Sequence, residues 1–187
     1  MRRASRVLPS LALVTALAWA PAQAQQSGTL VADLLADIAQ VQEKLTTLGR
    51  AIPVEQWGWR PSDGTRTVGE VYLHVAADNY LLPTGLGTMA PAATGIKGDD
   101  YATVQAFEGK QLAKDAALME LERSFTHLRQ ALEAASSGPM DGNVSMFGQN
   151  FTRQSFLILT TTHLHEHLGQ LIAYARSIGV VPPWSRG

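Results

Sequence analysis

Between Thr29 and Leu48 the apolar side chains fall at Leu30, Leu34, Ile38, Val41, Leu45 and Leu48. Steps of three and four place all six on one stripe of a helix. The same period returns three more times. Val71, His74, Val75, Asp78, Leu81 and Leu82 mark the face of a second segment that starts at Thr67. Leu112, Ala116, Met119, Leu121, Phe125, Leu128 and Leu132 mark a third, from about Lys110 to Ala135. Phe156, Leu159, His163, His167, Gln170 and Tyr174 mark a fourth, from about Thr152 to Ile178. No stretch alternates convincingly with the period of a strand, and no repeat is visible. Four amphipathic helices of this length predict an all-α chain, most simply a four-helix bundle.

The breaks between the stripes support the same division. Gly49 is placed to end the first helix. In "VEQWGWRPSDG" (54–64), Pro61, Asp63 and Gly64 predict a turn, with Trp57 and Trp59 packing over the bundle's end. "TVGE" (67–70) is a capping box, in which Thr67 and Glu70 each satisfy a free backbone N–H. Pro83 should stop the second helix. Residues 83–100 are rich in Gly and Pro and form a long crossover connection between the second and third helices. Such loops in compact domains are often functional. Residues 136–150 make the next connection, and Gly179 followed by Pro182–Pro183 closes the fourth helix.

With 187 residues the chain has room for one domain with a real core. Residues 1–24 read as a secretory signal: Arg2, Arg3 and Arg6, an apolar run from Val7 to Ala20, then "AQA" at 22–24. The run is too short to span a membrane comfortably, which takes about 20 residues. The expected division is a signal peptide over 1–24 and one domain over 25–187, exported to the periplasm without stable membrane insertion. Losing three arginines and no acid moves the formal charge from −1 to −4, which argues against nucleic acid as a partner. With no cysteine there is no disulfide, no thiolate ligand and no thiol nucleophile. A homodimer is compatible with the composition and not required by it.

Three of the five histidines lie in "TTTHLHEHLGQL" (160–171). At 100° per residue, His163 and His167 sit about 40° apart on one face, one turn from each other. Two imidazoles so spaced can reach one metal ion. His165 is turned away from both by about 160° to 200° and cannot point at the same ion. Burying an i,i+4 pair of imidazoles without partners is costly, since each ring nitrogen needs a bond. His74, on the apolar face of the second helix, is a natural third member. Three neutral imidazoles hold a divalent transition metal and leave positions open. His127, beside Arg129 and Gln130, is expected in a wet position.

Three stretches now resemble the DinB/YfiT-like family. "WGWRPSDGTRTVGEVYLHVAADNYLL" resembles its turn and second helix, with His74 at the family's first ligand position. "THLHEHLGQLIAYARSIGVVPPWS" resembles its last helix, whose H-x-x-x-H-x-G-Q pattern places the other two ligands on His163 and His167. The closing G-x-V-P-P-W is similar to its tail. The similarity spans about residues 28–185. It implies a four-helix bundle with a long crossover and a three-histidine site for zinc, nickel or another divalent ion. Some members are thiol-dependent transferases or isomerases. An exported chain would lack the reduced cytosolic thiols those reactions use.

Two functions of different class follow as expectations. One is a small metal-dependent enzyme, of hydrolase or transferase type, acting on a small molecule. The other is a non-catalytic periplasmic binding domain stapled by its metal. Asp78, one turn after His74, and Glu70, one turn before it, are candidates to fix the His74 tautomer or to serve as a base; Glu70 is better explained by the capping box. Gln170 could orient a ligand or pack closely at Gly169, and the structural role is preferred.

Overall fold

A computed structural model describes the backbone of residues 19–185 and the side chains from residue 29 to 185. Most of the expected signal segment, residues 1–18, therefore lies outside the described residues. Among those described, the chain is mostly helical, with five α-helices and one small antiparallel hairpin. The helices are α1 (Trp19–Ala51), α2 (Val68–Gly85), α3 (Tyr101–Glu108), α4 (Lys114–Ala135) and α5 (Arg153–Ser177). The hairpin strands are β1 (Asn143–Met146) and β2 (Gln149–Thr152). No described helix is long and apolar enough to cross a membrane.

The four long helices pack side by side, α2 against α4 and α5, and α1 against α4 and α5. The first stripe is as expected, with Ile38, Val41, Leu45 and Leu48 fully buried. α1 (Trp19–Ala51) is already helical at Trp19, the first residue described, ahead of the expected Thr29. Gly49 does not end α1. It lies inside the helix, where a Cβ would stand 2.6 Å from Leu118 Cδ2 and 2.9 Å from the Tyr72 hydroxyl. The glycine lets α1 approach α2 and α4, and Tyr72 uses that proximity to donate to the Leu45 carbonyl at 2.9 Å.

α2 is buried on nearly every side. Its capping box forms, the Glu70 N–H donating to Thr67 Oγ1 and the Thr67 N–H to Glu70 Oε2. Trp57 stacks on Tyr72 with centroids 4.9 Å apart, the expected packing role. Pro83 sits within the last turn of α2 instead of stopping it. The helix ends with Thr84 Oγ1 donating to the Leu81 carbonyl and the N–H groups of Leu86 and Thr88 both donating to Pro83 O.

Two elements depart from the all-α expectation of four helices. The crossover contains α3, capped by Asp100, whose Oδ1 accepts from the Ala102 N–H at 3.1 Å. Only Val104 and Phe107 of this helix are buried. The second departure is the hairpin, with Val144 opposite Phe151 and Met146 opposite Gln149. Phe147 and Gly148 form its tip with φ of 56° and 70°. Positive φ at both central residues matches the right-handed twist of a tight hairpin. The face of α4 is also rotated slightly. Ala117 and Leu118 are buried, while Met119 is exposed and the helix begins only at Lys114. Gly179, at φ 79°, terminates α5 as expected, with the Val180 N–H reaching the Ala175 carbonyl at 2.8 Å.

Candidate metal centre

α2 and α5 run side by side so that His74 meets His163 and His167. Ring centroids are 5.4 Å apart for His74–His163, 4.5 Å for His74–His167 and 4.4 Å for His163–His167. The interplanar angles are 78°, 85° and 79°, so the rings are nearly mutually perpendicular. One ligand nitrogen from each lies within 4.8 Å of the others. The group is enclosed: His74 and His167 are buried and His163 is half-buried. The deepest stripe of α5 runs through Leu157, Leu164, Leu168 and Leu171, and the histidine line follows its edge.

Hydrogen bonds assign the nitrogens. His74 Nδ1 lies 2.7 Å from Glu108 Oε1. Glu108 also takes Arg66 Nη2 on its other oxygen at 3.2 Å. Burial alone would raise the Glu108 carboxyl, but the bonds and charges of His74 and Arg66 outweigh it and hold the group below its ordinary value. An ionised carboxylate only accepts, so His74 carries a proton on Nδ1, and in the neutral ring the lone pair then lies on Nε2. His167 Nδ1 lies 2.9 Å from Gln170 Oε1, and Gln170 Nε2 donates to the Tyr174 hydroxyl at 3.0 Å. Tyr174 in turn packs edge-on to Trp59, centroids 5.4 Å apart. His167 thus also presents Nε2. Burial, followed by the neighbouring His163 and His74, lowers its pKa to about 4 against the opposing bond to Gln170, so it stays neutral.

Asp78 faces the His74 and His163 rings. Its Oδ2 is 2.7 Å from His163 Nε2 and 3.3 Å from His74 Nε2. The acceptor on the far nitrogen of His74 is therefore Glu108; Asp78 lies on the opposite side of the ring, with the converging nitrogens. Glu70 remains in its capping box. The packing role preferred for Gln170 does not hold, since nothing lies within 4 Å of a Cβ built at Gly169 and the amide instead bonds His167. His165 is exposed and bonds Asp37 Oδ2 at 2.7 Å, away from the cluster. His127 is half-buried and less wet than expected: its Nε2 is enclosed without a hydrogen-bond partner, its ring is 5.5 Å from Tyr80, and burial lowers its pKa.

The donor set fits a divalent transition metal. Three imidazole donors are the kind that transition-metal ions take, whereas calcium and magnesium prefer all-oxygen sites. Sequence reasoning missed Glu108, Arg66, Tyr174 and Trp59 as supports of the centre. The only signal for Glu108 was indirect, since a buried His74 must find an acceptor somewhere.

The fold and the three-histidine group together define a mostly helical protein with a buried site between two of its helices that could bind a divalent metal. The chain belongs to the DinB superfamily, whose family model matches residues 15–171. The solved structures that share the fold include two DinB-like proteins. A DinB-like protein from Bacillus cereus ATCC 10987 aligns with a TM-score of 0.63 at 17% identity, over 80% of this chain and 93% of that one. A DinB-like protein from Bacillus subtilis aligns with a TM-score of 0.55 at 16% identity, over 79% of this chain and 92% of that one. A search of the curated proteins finds no match.

Proposed function

We propose that this chain is a small metal-dependent enzyme of hydrolase or transferase type. In this reading the four long helices form a bundle scaffold, and His74 and His167, through Nε2, hold one zinc or nickel ion together with His163. The substrate is a small molecule, and residues 1–24 direct the chain to the periplasm. One observation carries the metal reading. His74 from α2 and His163 and His167 from α5 each bring one ring nitrogen within 4.8 Å of the others in an enclosed group, with the Asp78 carboxylate 3.3 Å from His74 Nε2. Three nitrogen donors from two helices converging beside one carboxylate is the arrangement that a single cation would use.

A bound divalent ion supplies Lewis acidity toward a carbonyl oxygen or a water molecule. The chain's own contribution is orientation and proton handling. Glu108 and Gln170 fix two of the rings from behind. Asp78 Oδ2 is the carboxylate oxygen nearest the converging nitrogens and is suited to accept a proton from an attacking water. His163 is the most open of the three histidines, so a small molecule approaches on its side.

Asp78 also favours a second reading. If its Oδ2 completes a fourth protein ligand, the site is closed, as structural sites are, and the metal is a staple between α2 and α5. Asp78→Ala separates the two. Metal content and zinc affinity are measured beside turnover of a panel of activated esters and amides. Retained metal with lost turnover supports the enzyme; lost metal and no turnover by the wild type supports the staple. A wild-type chain that purifies without transition metal and binds none overturns both.

A further inference from the structure

We propose that Glu108 is the positioning residue of the metal centre, holding His74 in the tautomer that turns Nε2 toward the ion, and that α3 is therefore a working part of the site. This rests on the three-histidine reading above and adds a residue from a different part of the chain. Glu108 is the last residue of α3, 34 positions from His74, and Arg66 lies just before the N-cap of α2.

The geometry divides the labour of one carboxylate between its two oxygens. Oε1 takes His74 Nδ1 at 2.7 Å and Oε2 takes Arg66 at 3.2 Å. With both oxygens engaged, the carboxylate has one orientation, and so has the imidazole that it grips. The side chains of His74 and Glu108 are 9% and 16% exposed, so water competes little for the bond. The position of Glu108 is itself fixed. Phe107 is fully buried and packs edge-on to Tyr80 of α2, with centroids 5.8 Å apart. Val104 is fully buried one turn earlier. The N–H of Gly109 closes the helix on the Gln105 carbonyl at 2.9 Å, immediately after Glu108. The apolar side of α3 thus serves to present one carboxylate.

A neutral histidine can carry its proton on either nitrogen, and a metal needs the lone pair on the side that faces it. An acceptor behind the ring selects the tautomer and raises the basicity of the ligating nitrogen; loss of such partners costs about 10- to 100-fold in metal affinity. A purely structural ion pair would affect melting and leave both of those properties unmoved.

The test uses the full chain labelled with 15N-histidine and zinc as the probe. In metal-free wild type, His74 should show the Nδ1–H tautomer. Glu108→Ala and the volume-preserving Glu108→Leu both remove the acceptor. They should give a mixed or Nε2–H tautomer and bind zinc about 10- to 100-fold more weakly, while Glu108→Gln, which keeps an oxygen acceptor, should recover much of the loss. The leucine variant decides the matter if alanine does not fold. An unchanged tautomer in a folded Glu108→Leu chain, or zinc affinity within about threefold of wild type, overturns the proposal. If wild type binds no zinc, the metal reading fails, and the tautomer in the metal-free chain still answers for Glu108.

Discussion

Replacing His74 by alanine should uncouple the stability of the chain from metal. His74 lies on α2 and its two partners about ninety positions away on α5, so an ion shared by the three joins helices distant in sequence. An ion that binds only the folded chain stabilises it by RT ln(1 + [L]/Kd), about 4 kcal/mol at a thousandfold excess over Kd. For a chain of this size each kcal/mol moves the melting temperature by about 2–4 °C, so adding chelator should lower it by about 8–16 °C. His74→Ala will also melt lower without metal, because the ring is buried and leaves Glu108 Oε1 without its partner. The informative quantity is therefore the difference between metal-loaded and chelated protein. In His74→Ala most of that difference should vanish. In His165→Ala it should persist, since that exposed ring bonds Asp37 instead. Calorimetry or circular-dichroism melts of wild type and both variants, with zinc and with EDTA, supply the numbers. A His74→Ala chain that keeps the full zinc-dependent gain would refute the shared site and leave His74 as an ordinary core histidine.

Three further outcomes are expected. Gly69→Ala should destabilise by about 1–3 kcal/mol in urea melts, as overpacking does, because a Cβ there would stand 2.4 Å from Trp57 Nε1; a neutral result would mean that the indole shifts freely. Phe147→Asn should stabilise by about 1 kcal/mol, since it relieves a positive φ at an exposed phenylalanine and creates the Asn-Gly tip that such hairpins favour; a lower melting temperature would show that the phenylalanine makes a contact that matters. In EDTA, the chain should lose stability as pH falls from 6.5 toward 4. His167 is held near 4 in the folded state against 6.5 as its ordinary value, so the unfolded chain alone takes up a proton in that window, and burial of His127 acts in the same direction. Equal urea midpoints at pH 7 and pH 5 would contradict this.

The long helices were legible because each carries several turns of a repeating face, which outlasts local irregularity. Helix α3 was not, because its eight residues bury only Val104 and Phe107. The hairpin was hidden by its four-residue strands and by a Phe-Gly tip that lacks the usual Asn-Gly signal. Gly49 and Pro83 were read by their usual local roles, whereas Gly49 answers to a neighbouring helix and Pro83 is carried within the last turn of α2. At the centre, the i,i+4 relation of His163 and His167 follows from helix geometry alone. The partners behind the rings differ in this respect. Gln170 is one turn from His167 and within reach of local reasoning. Glu108 arrives through the path of the crossover, which no spacing in the sequence encodes.

The enclosure of α2 sets where the centre can give. A helix packed on nearly every side cannot roll or slide to suit a larger or smaller ion, and Glu108 anchors the His74 ring from behind. His167 is pinned by Gln170 and Tyr174. The compliant wall is the remaining one, where His163 and Asp78 retain 21% and 13% exposure and are bonded to each other. Discrimination among ions of different radius would therefore be written in the rotamers of those two side chains rather than in movement of the backbone.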